Sequence, residues 1–92
     1  YLRENGLYDR AMQDYDQAVA INTKDPEIYN SRGKTQFDMA MSGKYNDRAK
    51  TLVQKALADY SSALTFETIK PKTKSEILVN RGVANAASNN FQ

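Results

Sequence analysis

The chain has 92 residues and a formal net charge of +2, and it contains neither cysteine nor histidine. This length suffices for one small domain or a few short repeats. The missing residue types exclude disulfides and thiol chemistry and remove the commonest general base and metal ligand. No apolar run approaches the roughly 20 residues of a membrane-spanning helix, and no signal peptide is visible. Because the chain opens on Tyr1 rather than methionine, we expect it to be part of a longer protein.

Apolar periodicity and capping signals predict four helices, at 7–22, 26–41, 46–68 and 74–88. Asp25 followed by Pro26 is typical of an N-cap and a first helical residue. The stretch "TKSE" at Thr73–Glu76 is typical of a capping box, which predicts that Lys70–Lys72 is a linker. Three turns that contain Gly or Asn are also expected, at Asn5–Gly6, Ser42–Gly43 and Asn89–Asn90.

One pattern occurs twice. "AMQDYDQAVAINT" at 11–23 returns as "ALADYSSALTFET" at 56–68. In each copy two alanines, a tyrosine and an aliphatic residue follow the i, i+4, i+7, i+8 spacing of one helix face. The small alanines allow another backbone to come close, and the tyrosine fills the space between them. These positions are Ala11, Tyr15, Ala18 and Val19 in the first copy, and Ala56, Tyr60, Ala63 and Leu64 in the second.

A second repeated element places Arg-Gly after a large residue. "YNSRG" ends at Gly33 and "LVNRG" ends at Gly82. Glycine inside a helix costs about 0.5–1 kcal/mol relative to alanine. Its presence at equivalent positions of two predicted helices therefore indicates close contact with a neighbouring helix.

In their order and spacing these elements resemble the tetratricopeptide (TPR) repeat, whose unit is two helices, A and B, over about 34 residues. Helix A of that family carries a large residue and then Gly, as at Tyr29 and Gly33. Its turn carries Gly and an aromatic residue, as at Gly43 and Tyr45, and its helix B carries Ala, an aromatic residue and Ala. The resemblance implies an all-α fold of antiparallel helix pairs, stacked as a right-handed superhelical solenoid.

The sequence departs from the family in two places. Thr23 stands where the family has proline after helix B, and the repeat period exceeds the family's by about 11 residues, close to three helical turns. We therefore expect an extended middle hairpin with a projecting tip at Met39–Arg48; alternatively, Met39–Asn46 is a longer loop and only helix B grows. On this interpretation 1–25 is a partial unit, 26–70 is a full unit with the extension, and 71–92 is a second partial unit.

The other chemistry-bearing residues favour structural roles. Asp14 and Asp16 are two apart on a helix and do not face each other. The tyrosines fall mostly on packing positions of the repeats, and the basic cluster Lys70, Lys72 and Lys74 is typical of a solvated loop. We expect no enzymatic activity, no cofactor and no metal site, and nucleic-acid binding is disfavoured because the basic excess is small.

The resemblance implies a non-enzymatic scaffold that binds a peptide or partner helix on the concave face of the A helices. The alternative is a structural module that self-associates through the extended hairpin or the exposed solenoid ends. Chaperone-tail binding through a carboxylate clamp is disfavoured, since only Asn80 fits a clamp position and Glu76 is acidic where lysine is wanted. No partner or compartment is assigned, with the cytoplasm as the default. The candidate peptide-groove residues are Asn30, Ser31, Lys34, Phe37, Asp38, Val79, Asn80 and Val83.

Overall fold

The computed structural model of the chain describes residues 5–21 and 24–89, which form four α-helices. Within those ranges there is no strand, so the predicted all-α class is confirmed. A 3-10 turn at Asn46–Arg48 precedes the third helix. The helices are α1 at Asn5–Ile21, α2 at Pro26–Met41, α3 at Ala49–Ala63 and α4 at Pro71–Ser88.

Local signals determine where α2 and α4 begin. At α2, Asp25 Oδ1 accepts a hydrogen bond from the Glu27 amide at 2.9 Å, and the helix has its predicted bounds. α4 begins earlier than predicted, at Pro71, because Lys70 has the extended backbone of an N-cap and proline suits the first turn. The capping box at Thr73–Glu76 and the Lys70–Lys72 linker are therefore wrong. Thr73 is buried, and its hydroxyl lies 3.5 Å from Glu27 Oε2.

The third helix is shorter than predicted. It ends at Ala63 rather than at residue 68. Thr65 Oγ1 turns back and donates a hydrogen bond to the Ser62 carbonyl at 2.7 Å, a side-chain contact that competes with helix continuation. The Phe66 ring then packs against Tyr29 of α2, with ring centroids 5.8 Å apart. These two contacts direct the chain away from the α3 axis.

Two of the predicted turns have opposite outcomes. Gly43 follows α2 with φ +83°, a left-handed conformation that glycine adopts without steric penalty, so the Ser42–Gly43 turn is confirmed. Asn5–Gly6 belongs to α1, so the turn predicted there is wrong. The third turn falls at the end of α4, where Asn89 is the C-cap and Asn90 lies outside the described residues.

The projecting tip predicted at Met39–Arg48 stays a prediction, since residues 41–44 and 46–48 are exposed but the residues beside them are packed. Met39 and Tyr45, on either side of the turn, are buried. The Tyr45 and Tyr8 rings make an edge-to-face contact, with centroids 6.3 Å apart, which packs the Tyr45 side of the turn against α1. α2 remains helical to Met41, so the alternative of a loop over Met39–Asn46 is wrong.

The core lies between α2 and α3. The two helices run antiparallel, because Tyr29 near the start of α2 contacts Phe66 after the end of α3, whereas Gln36 further along α2 contacts Asp59 within α3. In α1, Ala11 and Ala18 are half-buried. α4 packs on α3 and buries Ile77 and Ala84. Of the face predicted for the second copy of the pattern, Ala56, Tyr60 and Ala63 are buried and Leu64 is half-buried. Towards the start of α3 the same stripe continues with Ala49, Leu52 and Val53, which are also buried, whereas Leu57 is half-buried.

Gly33 is a point of close approach between α2 and α3. A Cβ atom at this position would lie 2.8 Å from Tyr60 Cε1 and 3.2 Å from the Ala56 carbonyl oxygen, and a backbone oxygen cannot rotate away. The predicted close contact is therefore confirmed at Gly33. It is wrong at Gly82, which is exposed and has no heavy atom within 4 Å of a Cβ position, because no described helix covers that face of α4.

A polar network joins three helices through Arg32 of α2. Its Nε and Nη2 donate to the two Asp59 carboxylate oxygens in α3 at 2.9 and 2.8 Å, and its Nη1 donates to Asp16 Oδ1 in α1 at 2.9 Å. Gln36 Nε2 adds a fourth hydrogen bond, to Asp59 Oδ2 at 2.8 Å. The hydrogen bonds and charge of Asp59 raise the pKa of Arg32 above its ordinary value, so the guanidinium stays charged.

We predict that Gly33→Ala destabilises the fold by about 1–3 kcal/mol, since the added methyl group overpacks the α2–α3 contact. Gly82→Ala is the matched control, because the same methyl group meets open space and removes a helical glycine, a gain of up to about 1 kcal/mol. Urea denaturation of dilute protein measures both. Equal changes in the two variants would contradict the packing assigned to Gly33.

We also predict that Asp59→Ala lowers the free energy of unfolding by about 2–3 kcal/mol, because it leaves Arg32 and Gln36 without their shared buried acceptor. Asp16→Ala removes an exposed partner of the same guanidinium and costs less than about 1 kcal/mol. Thermal unfolding at neutral pH separates the two. A larger loss at Asp16 than at Asp59 would refute this account of the network.

Candidate functional site

A groove lies between α2 and α4, which run in the same direction, since Glu27 contacts Thr73 and Asn30 contacts Asn80. Its volume is about 460 Å³. It is a surface depression formed by two helices that are distant in sequence, and we refer to it as the α2–α4 groove. Its lining residues are Asn30 and Lys34 from α2, and Ser75, Glu76, Val79 and Asn80 from α4.

The floor of the groove is an amide pair. Asn80 Nδ2 donates a hydrogen bond to Asn30 Oδ1 at 3.1 Å, and the pair is partly buried. A side-chain amide has two N–H donors and a carbonyl that accepts two hydrogen bonds. One mutual bond therefore leaves both residues with further capacity, and the groove presents donors and acceptors side by side, as a peptide backbone does.

The wall on the α4 side is open to solvent and combines the apolar Val79 with the polar Ser75 and Glu76. Val79 is 62% exposed and lines the groove, and Val83 is 51% exposed one helical turn further on. Single exposed apolar residues are common on protein surfaces. Two valines next to a polar floor nevertheless offer a contact for an apolar side chain of a ligand.

The opposite wall carries a cation that is only weakly held. Lys34 Nζ lies 3.7 Å from Asp38 Oδ1, and both side chains are largely exposed. Exposed pairs of this kind contribute about 0–1 kcal/mol, so a ligand carboxylate can compete for Lys34. Towards the N-terminal ends of both helices the surface continues into a second depression of about 340 Å³, where Lys70 and Lys72 face Glu27 and Glu76.

The structure distributes the eight candidate residues over several places. Four of them, Asn30, Lys34, Val79 and Asn80, line the α2–α4 groove together. Ser31 lines the adjoining depression, and Val83 extends the exposed wall of α4. Phe37 packs against the hydrophobic core. Asp38 borders a different depression, of about 370 Å³, beside Tyr8 and Met41.

Sequence reasoning missed Lys70 and Lys72 because it placed the start of α4 at residue 74 rather than at Pro71, and it missed Ser75 although this residue lies inside the predicted helix. The available signal was Pro71, which follows Lys70 just as Pro26 follows Asp25, and proline favours the first turn of a helix. Ser75 precedes Val79 by four residues and therefore lies on the same face of α4, and with the correct start the two lysines fall at the N-terminal end of the helix.

Other polar clusters show no arrangement for catalysis. The depression beside Arg32 and Asp59 has a volume of about 350 Å³, but these groups are engaged with each other and with Gln36. Burial raises the pKa of Tyr60, with smaller contributions from Asp38 and Asp59, so this phenol stays protonated near neutral pH.

The described residues contain no cluster of three or more metal-ligating side chains. Among them there is also no helix with the length and apolar character to cross a bilayer.

A family model described as "TPR repeat" matches residues 2–39, which include α1 and most of α2. The matched segment is less than half of the chain. Neither a curated protein nor a solved structure matches the chain. The family match supports the resemblance indicated by the repeated motifs. TPR repeats generally are non-enzymatic modules that mediate protein–protein interactions.

Proposed function

We propose that the chain is a non-enzymatic protein-interaction scaffold that binds an extended peptide in the α2–α4 groove. The observation that carries the proposal is the amide pair Asn30–Asn80, 3.1 Å apart and bordered by the exposed Val79. An extended peptide needs hydrogen-bond partners for its backbone and a surface for alternate side chains. The groove offers both in one place.

The chemistry of the groove narrows the kind of peptide. Asn30 and Asn80 pair with one peptide group of the ligand, and Val79 with Val83 contacts an apolar side chain. Lys34 favours a carboxylate on the ligand because its present partner, Asp38, is exposed and weakly bound. The preferred ligand is therefore an extended segment that carries an apolar residue and an acidic residue.

The repeat architecture supports this use of the surface. In our proposal residues 26–70 form one full unit, flanked by partial units at 1–25 and 71–92. The antiparallel α2–α3 pair and the parallel placement of α4 beside α2 agree with A and B helices in alternation. In a right-handed superhelical array of this kind the A helices, here α2 and α4, line the concave face.

We predict that peptides selected from a phage-displayed random library bind the wild-type chain at least about tenfold more tightly than Val79→Glu, a difference of about 1.4 kcal/mol. The substitution places a carboxylate on the α4 wall of the groove, beside Glu76. Titration calorimetry with the selected synthetic peptides measures the affinities, and amide chemical shifts of Asn30 and Asn80 locate the contact.

The matched control is Leu78→Glu, the same change at the neighbouring residue of α4. Leu78 is exposed but does not line the α2–α4 groove, so peptide affinity should stay within about twofold of the wild type. Failure to enrich any peptide, or equal losses in the two variants, would contradict binding in this groove.

A further inference from the structure

One face of α4 repeats the α3-binding face of α2, and no element within residues 5–21 and 24–89 covers it. The shared Arg-Gly motif aligns Arg32 and Gly33 of α2 with Arg81 and Gly82 of α4. In α2 this face is occupied by α3, whereas in α4 Leu78 is 45% exposed and a Cβ at Gly82 would meet no heavy atom within 4 Å. We call this surface the α4 end face, and it consists of Leu78, Arg81, Gly82 and Asn85.

The α2–α3 contact shows what such a face binds. The Tyr60 ring packs directly over Gly33. Asp59 receives hydrogen bonds from Arg32 and from the amide of Gln36. Each of the α2 residues has a chemically similar counterpart in α4, because Gly82, Arg81 and Asn85 follow the same spacing as Gly33, Arg32 and Gln36.

Arg81 makes one contact that corresponds to a contact of Arg32. Arg32 uses Nη1 to reach Asp16 of the preceding helix and its other nitrogens to bind Asp59 of the following one. Arg81 Nη1 lies 3.5 Å from the Ser61 hydroxyl, and Ser61 occupies the repeat position of Asp16. The guanidinium is thus held in the equivalent place, where a following helix would supply the carboxylate.

The chain carries a matching surface on α1. In the repeated pattern Asp14 and Tyr15 occupy the positions of Asp59 and Tyr60, and Ile21 occupies that of Phe66. Asp14 is exposed, Tyr15 is half-buried and Ile21 is 79% exposed. We call these three residues the α1 end face. It combines an acidic group, an aromatic ring and an apolar side chain, the three kinds of group that Asp59, Tyr60 and Phe66 present to α2.

We propose that a second copy of this chain docks its α1 end face on the α4 end face, so that molecules associate head to tail. Asp14 of one copy accepts hydrogen bonds from Arg81 and Asn85 of the other, as Asp59 does from Arg32 and Gln36. Tyr15 packs over Gly82. Ile21 covers Leu78, as Phe66 covers Tyr29 within the chain.

Because the two end faces differ, the contact is heterologous and leaves a free face at each end of every assembly that does not close into a ring. The assembly then grows with concentration instead of stopping at a symmetric dimer. The contact does not involve the α2–α4 groove, since neither Val79 nor the Asn30–Asn80 pair belongs to an end face. Peptide binding and self-association can therefore fail independently of each other.

The test is sedimentation velocity of the 92-residue chain over a range of concentrations at moderate ionic strength. The wild type should show a weight-average mass that rises with concentration. Asp14→Arg and Arg81→Asp should each weaken association at least about tenfold, because each places like charges opposite one another. An equimolar mixture of the two variants should regain association, since each supplies the charge that the other has lost.

A neutral variant tests the packing part of the proposal. Gly82→Ala should weaken association at least about tenfold, because the methyl group meets the docked Tyr15 ring, while the dilute variant is at least as heat-stable as the wild type. Val79→Glu should lower peptide affinity and leave association unchanged. A constant monomer mass for the wild type, or a mixture of charge variants that stays monomeric, overturns the proposal.

Discussion

The fold depends on the absence of a side chain at Gly33. With no Cβ at this position, α3 approaches α2 closely enough for Tyr60 to lie against the helix backbone. That approach brings Asp59, the residue before Tyr60, within reach of Arg32 and Gln36. The close packing and the polar network therefore depend on each other. Gly33 allows a short distance between α2 and α3, and at that distance the side chains of Arg32 and Gln36 can hydrogen-bond to Asp59.

The network also fixes the register of the two helices. Asp59 is only 5% exposed, and a buried carboxylate without partners is costly. A shift of α3 by one turn along α2 would separate Asp59 from both Arg32 and Gln36. Apolar packing alone tolerates such shifts more readily, because Ala and Leu contacts are not directional. The contact of Arg32 with Asp16 extends the same constraint to α1.

Sequence reasoning succeeded where the cause of a structure is local. The bounds of α2 followed from Asp25 and Pro26, whose capping needs no distant partner, and the buried stripe of α3 followed from its periodicity. The start of α4 was missed because its N-cap is Lys70, which is not one of the residue types that usually cap helices and makes no side-chain capping hydrogen bond. The groove was predicted only in part: the sequence placed Asn30 and Asn80 on the A helices, but not the inward packing of Phe37, which depends on how three helices meet.

Gly82 shows that a repeated motif predicts that a helix can pack closely against another helix, but not that it does so. The motif is the same as at Gly33, yet a close approach requires a second helix, and none covers this face among the described residues. Arg81 and Asn85 lie beside it at the spacing that holds Asp59 in the neighbouring pair, and Arg81 already contacts Ser61. α4 thus has three distinct sides: one buried on α3, one lining the α2–α4 groove, and one with the binding chemistry of α2 but no occupant. A helix built only to complete the core would not need Arg, Gly and Asn on its third side, where alanine favours the helix more strongly.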